Sequence, residues 1–155
     1  MEKQTYEIKL DLENLLESIM FQSAWKATHS ENCLFITSDN DAMMIKFIRQ
    51  GFDNFTGHAG GYITATNFNP NIEHDNIRVT VTLSKAADEL FTELLGNAVE
   101  QILINWTLFH FYGARDDDGE ESLFHLAWRK MRAQFMVMMA KDYQSDVLAT
   151  LCPHA

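Results

Sequence analysis

Polar and apolar residues alternate with period two in three segments of the chain, which predicts β-strands. In the first segment Tyr6, Ile8 and Leu10 share one face, which predicts a short strand or an extended arm with one buried side. Segments 60–68 and 76–84 also alternate and are rich in β-branched and aromatic residues. Because the intervening residues are turn formers, we expect these two segments to pair as an antiparallel β-hairpin.

Apolar residues at spacings of three and four predict about four amphipathic helices. The first helix begins at Leu12, and Asp11 or Asn14 is a suitable N-cap. The second helix follows Ser38, which begins a pattern similar to a capping box. Gly57 is predicted to end it, because glycine adopts the left-handed conformation of a C-cap without a steric clash.

The third and fourth helices are the longest and lie at the C-terminal end of the sequence. Ser84 is the predicted N-cap of the third helix and Gly113 its predicted end. An acidic turn follows, in which Asp118 and Glu121 form the predicted cap of the fourth helix. The connection is short, so we expect the two helices to pack as an antiparallel hairpin.

The helical hairpin predicts a contact between two tryptophans. Trp106 lies 7 residues before Gly113, and Trp128 lies 9 residues after Gly119. Both are therefore about two turns from the connection, at a similar height along the two helices. Each belongs to the apolar stripe of its helix, so the two indoles should pack together.

These elements predict an α+β fold that is mainly helical, with about four helices, one β-hairpin and a C-terminal antiparallel helical hairpin. The chain has 155 residues, which is typical of one domain with a single core. We interpret it as one domain with a short N-terminal arm (1–11), a helical and hairpin core (12–142) and a C-terminal tail (143–155).

Segments 102–112 and 135–140 are apolar on nearly all sides, whereas a helix half-buried against one core should have a polar face. Either they form the centre of the fold or another subunit covers them. We favour partial coverage by a subunit, because small domains seldom bury helices completely. The residues assigned to internal packing or to a subunit interface are Ile104, Trp106, Leu108, Phe109, Phe111, Trp128, Phe135, Met138 and Met139.

Composition narrows the classes of function. The formal net charge is −10, which argues against tight binding to a nucleic-acid backbone and against binding to anionic membranes. Only two cysteines occur, Cys33 and Cys152, so we expect a reducing cytoplasm and no disulfide scaffold. The sequence contains neither an apolar run long enough to span a membrane nor the pattern of a signal peptide.

The motifs that carry chemistry are weak. The acidic turn 116–121 lacks the ligand spacing of an EF-hand, and helix capping explains its carboxylates. The six histidines form no pair at metal-ligand spacing, although His110 and His125 could approach each other across the predicted helical hairpin. The glycine-rich segment 57–61 lacks the Lys-Ser/Thr of a phosphate loop. We therefore expect no catalytic residue, no metal and no cofactor.

The order of the elements resembles that of small structural proteins from the head–tail modules of tailed phages and prophages, of the connector or adaptor type. The resemblance extends from about Glu7 to Lys141 and includes the tryptophan-bearing long helix before a charged turn. The segments that carry it are FITSDNDAMMIKFIRQGFDNF, IRVTVTLS, AVEQILINWTLFHFYG and SLFHLAWRKMRAQFMVMM. The resemblance implies a non-enzymatic component that forms a ring between portal and tail; the hairpin predicted here is larger than such helical adaptors usually have.

The resulting hypothesis is a structural assembly protein that forms a homo-oligomer, such as a ring, and binds neighbouring virion proteins. It would be cytoplasmic during assembly and would enter the virion if it is phage-derived. The alternative is a cytoplasmic α+β binding or regulatory module of host origin that acts on a protein partner. A third hypothesis is an enzyme that uses His110, His125 and the turn 116–118.

Overall fold

A computed structural model describes residues 3–29, 34–116 and 118–151, with side chains as far as Gln144. These residues form four α-helices and an antiparallel sheet, so the predicted α+β, mainly helical class is confirmed. Single turns of 3-10 helix lie at Ser38–Asn40 and Gly60–Tyr62. The elements in chain order are β1 (Lys3–Leu10), α1 (Leu12–His29), α2 (Asp41–His58), β2 (Ile63–Phe68), β3 (Ile77–Ser84), α3 (Glu89–Tyr112) and α4 (Leu123–Leu151).

The sheet has three strands in the order β1-β3-β2, and both pairings are antiparallel. The predicted hairpin is β2 and β3, and its period-two pattern buries Ile77, Val79 and Val81 on one face. The N-terminal segment is a strand of this sheet, not a separate arm, because β1 pairs with β3 along its whole length. Ile8 lies opposite Val79, and both side chains are buried.

Helix α3 lies at the centre of the helical layer and packs against α1, α2, α4 and β1. Ile102, Leu103 and Ile104 are consecutive and point in different directions around this helix, yet all three are fully buried. The apolar character of segment 102–112 on all sides thus corresponds to neighbours on all sides.

The ends of α3 show one correct and one wrong prediction. Ser84 does not cap α3; it remains in β3, where its amide and hydroxyl donate to the Asp142 carboxylate at 2.9 and 2.6 Å. Asp88 is the N-cap instead, and its side chain accepts from the amide of Phe91 at 2.9 Å. Gly113 ends the helix as predicted, with φ of 106°.

Two further helix boundaries differ from the prediction. Helix α2 continues through Gly57, whose φ is not positive, and ends at His58. Helix α4 begins after Ser122, whose hydroxyl accepts from the amide of His125 at 3.2 Å, so Asp118 is not its cap. Since α4 extends to Leu151, residues 143–151 continue the helix and are not a separate tail.

A residue distant in sequence accepts a hydrogen bond from the first backbone amide of α1. The side-chain oxygen of Asn76 accepts from the amide of Leu12 at 2.6 Å, and Asn76 is almost completely buried. The Asp11 carboxylate instead accepts from the amide of Asp75 at 2.5 Å, in the loop between β2 and β3. These two bonds join the hairpin loop to the start of α1. Among the described residues, no backbone amide of α1 donates to the side-chain oxygen of either predicted cap, Asp11 or Asn14.

Candidate functional site

The nine residues predicted for internal packing or a subunit interface lie in or against one core. The structure buries six of them within this chain: Ile104, Leu108, Phe109, Trp128, Phe135 and Met139. The other three are partly buried and pack against that core: Trp106, Phe111 and Met138. Packing within a single chain thus accounts for the apolar segments, which do not require coverage by a second subunit.

The predicted contact between Trp106 and Trp128 is confirmed. Their ring centroids lie 5.5 Å apart at an interplanar angle of 63°. Phe109 contacts both rings, with centroid distances of 5.4 Å to Trp106 and 5.2 Å to Trp128. The Arg132 guanidinium lies 4.3 Å from the Trp128 ring and covers its outer side. This aromatic cluster holds α3 against α4.

Gly51 brings α2 unusually close to α3. A Cβ atom placed on Gly51 would lie 2.7 Å from Cδ1 and 2.8 Å from Cγ of Trp106. Carbon atoms prefer separations of about 3.5–4.0 Å. Because the Trp106 ring also packs on Trp128, it has little freedom to move away. Glycine at position 51 therefore allows the backbone of α2 to lie against the Trp106 ring.

We expect Gly51→Ala to lower the free energy of unfolding by about 1–2 kcal/mol. Overpacking costs about 1–3 kcal/mol, and a separation of 2.7 Å from a ring held on its other side indicates a cost of about 2–3 kcal/mol. The gain in helix propensity of about 1 kcal/mol offsets only part of this cost. Gly57→Ala is the matched control, since no atom lies within 4 Å of a Cβ atom at this position of the same helix. It should stabilise the protein slightly. Chemical denaturation of both variants checks the prediction, and equal stabilities would contradict it.

The carboxylate of Asp116 organises the acidic turn. It accepts from the amides of Asp118 and Glu120 at 3.0 and 2.9 Å. The Arg115 side chain donates to the carbonyl of Gly119 at 2.8 Å. Among the residues that the structure describes, no group of three or more His, Cys, Asp or Glu side chains is arranged to bind a metal ion. These hydrogen bonds hold the connection between α3 and α4 in a tight turn.

Glu121 joins this turn to the first turns of α4. Its carboxylate accepts from Arg129 at 2.7 and 2.8 Å, in a bidentate arrangement, and from the His125 ring at 2.6 Å. The hydrogen bonds from Arg129 and His125 lower the pKa of Glu121 from 4.5 to about 2. Glu121 is therefore an ionised structural group at neutral pH.

Glu121 makes the stability of the protein depend on pH in the acid range. A carboxylate with a lowered pKa in the folded state stabilises it fully above pH 4.5, and this contribution is lost as the pH falls to about 2. We expect the wild type to be more stable than Glu121→Gln at pH 5, and the difference to shrink as the pH falls below 4.5. Urea denaturation at each pH measures it, with Glu120→Gln as a control of equal charge. A difference that persists unchanged at pH 2 would contradict the prediction.

His110 and His125 both contact the ring of Phe109. Their ring centroids are 4.4 and 4.9 Å from that of Phe109. His110 also stacks on Trp106 at 4.1 Å. Both histidines thus belong to the aromatic packing of the helical hairpin, and among the described residues they form no metal-binding group with Asp116 or Asp118.

A cavity of about 290 Å³ opens where β2 and β3 meet α4. Met139 and Leu83 contribute apolar surface, and Tyr62 and Tyr143 are also part of its wall. Asp142 is the acid of this cavity, and both of its carboxylate oxygens accept hydrogen bonds from Ser84. These two hydrogen bonds attach α4 to the sheet.

Sequence reasoning missed a group of exposed apolar side chains at one end of the molecule. Phe21 and Trp25 are 73% and 55% exposed and lie one turn apart on α1, away from its buried stripe of Leu12, Leu15 and Ile19. Exposed apolar residues in the segment after α1 and at the start of α4 lie at the same end. The group, called the α1 end surface below, consists of Phe21, Trp25, Leu34, Phe35 and Leu123.

A hydrogen-bond network holds this end together. Tyr112, the last residue of α3, donates its hydroxyl proton to the carbonyl of Leu34 at 2.7 Å. The Ser23 hydroxyl lies 2.6 Å from the Tyr112 oxygen and accepts from the amide of Ile36 at 2.6 Å. Lys26 lies 5.1 Å from the Tyr112 ring and 5.8 Å from the Phe124 ring. These contacts join the ends of α1 and α3 to each other, to the segment that includes Leu34 and Ile36, and to the start of α4.

Comparison with known proteins identified no relative. No family model, no curated protein and no solved structure matches the chain. Among the described residues, no helix is both long enough and apolar enough to cross a membrane.

Proposed function

We propose that this chain is a non-enzymatic assembly protein that acts by binding other proteins. The observation that carries the proposal is the α1 end surface, where large apolar side chains are exposed next to the contacts that join α1, α3 and α4. Large apolar side chains exposed at one end of a molecule are candidates for a protein-binding site. Trp25 is of the residue type most enriched among energetically dominant interface residues.

The state of the described charged groups supports a structural role. Glu121, Asp116 and Asp142 all accept hydrogen bonds that hold the fold together. The lowered pKa of Glu121 is explained by its ion pair with Arg129, so it is not by itself a sign of catalysis.

The class of assembly that we propose is the head–tail connector of tailed phages, with other copies of the chain and neighbouring virion proteins as partners. The resemblance in element order supports this class. The net charge of −10 is also suitable for a ring through which DNA passes, because carboxylates repel phosphates. In this proposal the protein is cytoplasmic during assembly and then part of the virion.

Co-expression with the products of the adjacent genes tests the proposal. We expect a complex with at least one of them on size-exclusion chromatography, and Phe21→Ser/Trp25→Ser should weaken it at least tenfold. Leu90→Ser/Leu94→Ser is the matched control, because these leucines are also exposed and one turn apart, on α3. This control should bind like the wild type.

Two results would overturn the proposal. One is a gene neighbourhood without portal, capsid or tail genes, together with no complex between the neighbouring products. The other is a complex that both double variants form equally well, which would remove the α1 end surface from its role.

A further inference from the structure

Strand β2 is an edge of the sheet, and one side of its backbone has no partner strand. The hairpin bond from the amide of Asn69 to the carbonyl of Asn76, at 2.8 Å, sets the alternation along the β2–β3 ladder. Hydrogen-bonded and non-hydrogen-bonded residue pairs alternate along an antiparallel ladder. Asn67 therefore exchanges hydrogen bonds with β3, whereas Thr66 and Phe68 direct their amide and carbonyl groups away from β3. Among the described residues, none forms a backbone hydrogen bond to these outward groups.

The outer edge of β2 is accessible from both faces of the sheet. Residues 64–67 are exposed along the middle of the strand. Thr66 lies opposite Val79 in the ladder, and Val79 is only 1% exposed whereas Thr66 is exposed. The helical layer therefore covers β3 but ends before the middle of β2.

This edge lacks the charges that usually protect edge strands from pairing. Segment 54–72, which includes β2, contains no Asp, Glu, Lys or Arg, although 22% of the chain is charged. The opposite edge strand, β1, is protected by Lys3, Glu7 and Lys9. The bulge of β2 lies between Ile63 and Ala65, so the strand beyond it is regular.

We propose that the outer edge of β2 pairs with the same edge of a second copy of the chain, antiparallel and centred on Thr66. Around this centre, Ala65 of one copy lies opposite Asn67 of the other, and side chains on the same face of the sheet meet. The amide and carbonyl of Thr66, which point outward, then exchange two hydrogen bonds across the two-fold axis. The two three-stranded sheets become one sheet of six strands.

Charge favours a second copy at this position. Two chains of net charge −10 repel each other, so they approach at least cost where neither has a charged side chain. The middle of β2 around Thr66 belongs to the neutral segment 54–72, and the Arg49 guanidinium lies near the end of the strand, 5.0 Å from the Phe68 ring. A strand edge centred on Thr66 is also complementary to itself, as a two-fold interface requires. This inference goes beyond the proposed function, because a two-fold contact closes as a dimer and a ring needs a second, head-to-tail interface. Its test uses the chain alone, whereas the proposed function is tested with other gene products.

Sedimentation velocity of the full chain at about 1–200 µM in 0.15 M and 0.5 M NaCl tests the proposal. We expect a monomer–dimer equilibrium that is stronger at the higher salt concentration, because screening reduces the repulsion. Thr66→Lys should raise the dissociation constant at least tenfold, since it places two like charges opposite each other. Thr66→Pro should do the same, because it removes the outward amide without removing a hydrogen bond to β3.

Two controls separate this pairing from a general effect of charge or folding. Thr5→Lys makes the same substitution at an exposed position of β1 and should leave the dissociation constant unchanged. Thr66→Val keeps the amide and should also dimerise like the wild type. Thermal melting should show that all four variants are folded. A chain that is monomeric throughout the concentration range, or a dimer that both Thr66→Lys and Thr66→Pro leave intact, would overturn the proposal.

Discussion

Trp128→Ala is expected to lower the free energy of unfolding by about 3–5 kcal/mol, the usual cost of truncating a large buried aromatic residue. Trp128 is 8% exposed and contacts the rings of Trp106 and Phe109. The truncation removes these contacts and leaves a cavity between α3 and α4. It should also expose the Arg132 side chain, which stacks on the indole at 4.3 Å.

Trp128→Phe should cost much less than Trp128→Ala. The indole nitrogen of Trp128 is buried, and no described residue accepts its hydrogen bond. Phenylalanine keeps most of the apolar surface and removes this unpaired donor, which by itself costs about 1–3 kcal/mol when buried. Urea denaturation of the two variants measures the difference.

The control is Trp25→Ala, because Trp25 is 55% exposed. Its effect on stability should stay within about 0.5 kcal/mol, the usual range for surface substitutions. A Trp128→Ala variant that melts like the wild type would contradict the packing described here. If that variant lost self-association without losing stability, Trp128 would be an interface residue.

Local sequence patterns predicted the elements of this fold and the main contact between its two longest helices. The alternation in 76–84 identified β3, and the apolar stripes identified all four helices. The contact between Trp106 and Trp128 followed from helix geometry and a short connection. Each of these features depends on residues that are near in sequence, or on the known rise of a helix.

Features that depend on distant residues were not predictable in this way. The side chain of Asn76 accepts a hydrogen bond from the first amide of α1, 64 positions away in the sequence. The carboxylate of Asp142 accepts from the amide of Ser84 in β3, 58 positions away. Ser84 has a side chain suitable for capping, but its amide and hydroxyl bind the Asp142 carboxylate while its backbone remains in β3. Only a spatial neighbour distinguishes Ser84 from Asp88, the N-cap that α3 uses.

The candidate surfaces were the least predictable part. The period-two pattern of β1 predicted a strand but not that β3 is its partner, so β2 could not be recognised as the other edge. The exposure of Phe21 and Trp25 had a signal in the sequence, since both lie outside the stripe of Leu12, Leu15 and Ile19. The apolar excess of α3 and α4 suggested a subunit contact more strongly, although α3 is surrounded by elements of its own chain.

Phe135→Ala is expected to cost about 3–5 kcal/mol as well, at a separate point of the core. Phe135 on α4 meets Phe55 on α2 edge to face, with ring centroids 4.9 Å apart at 80°, and both side chains are fully buried. The pair joins two helices that are distant in sequence, so the cavity cannot close without moving one of them. Val137→Ala, at a half-exposed position of the same helix, is the control and should change stability by less than about 1 kcal/mol.

A double-mutant cycle isolates the contact between the two rings. Edge-to-face pairs contribute about 0.5–1.5 kcal/mol beyond the burial of each ring. The combined loss in Phe55→Ala/Phe135→Ala should therefore be smaller than the sum of the single losses by about this amount. Denaturation of the four proteins under one set of conditions gives the coupling. Strict additivity would show that the rings stabilise α2 and α4 independently, and the edge-to-face contact would then have no energetic role.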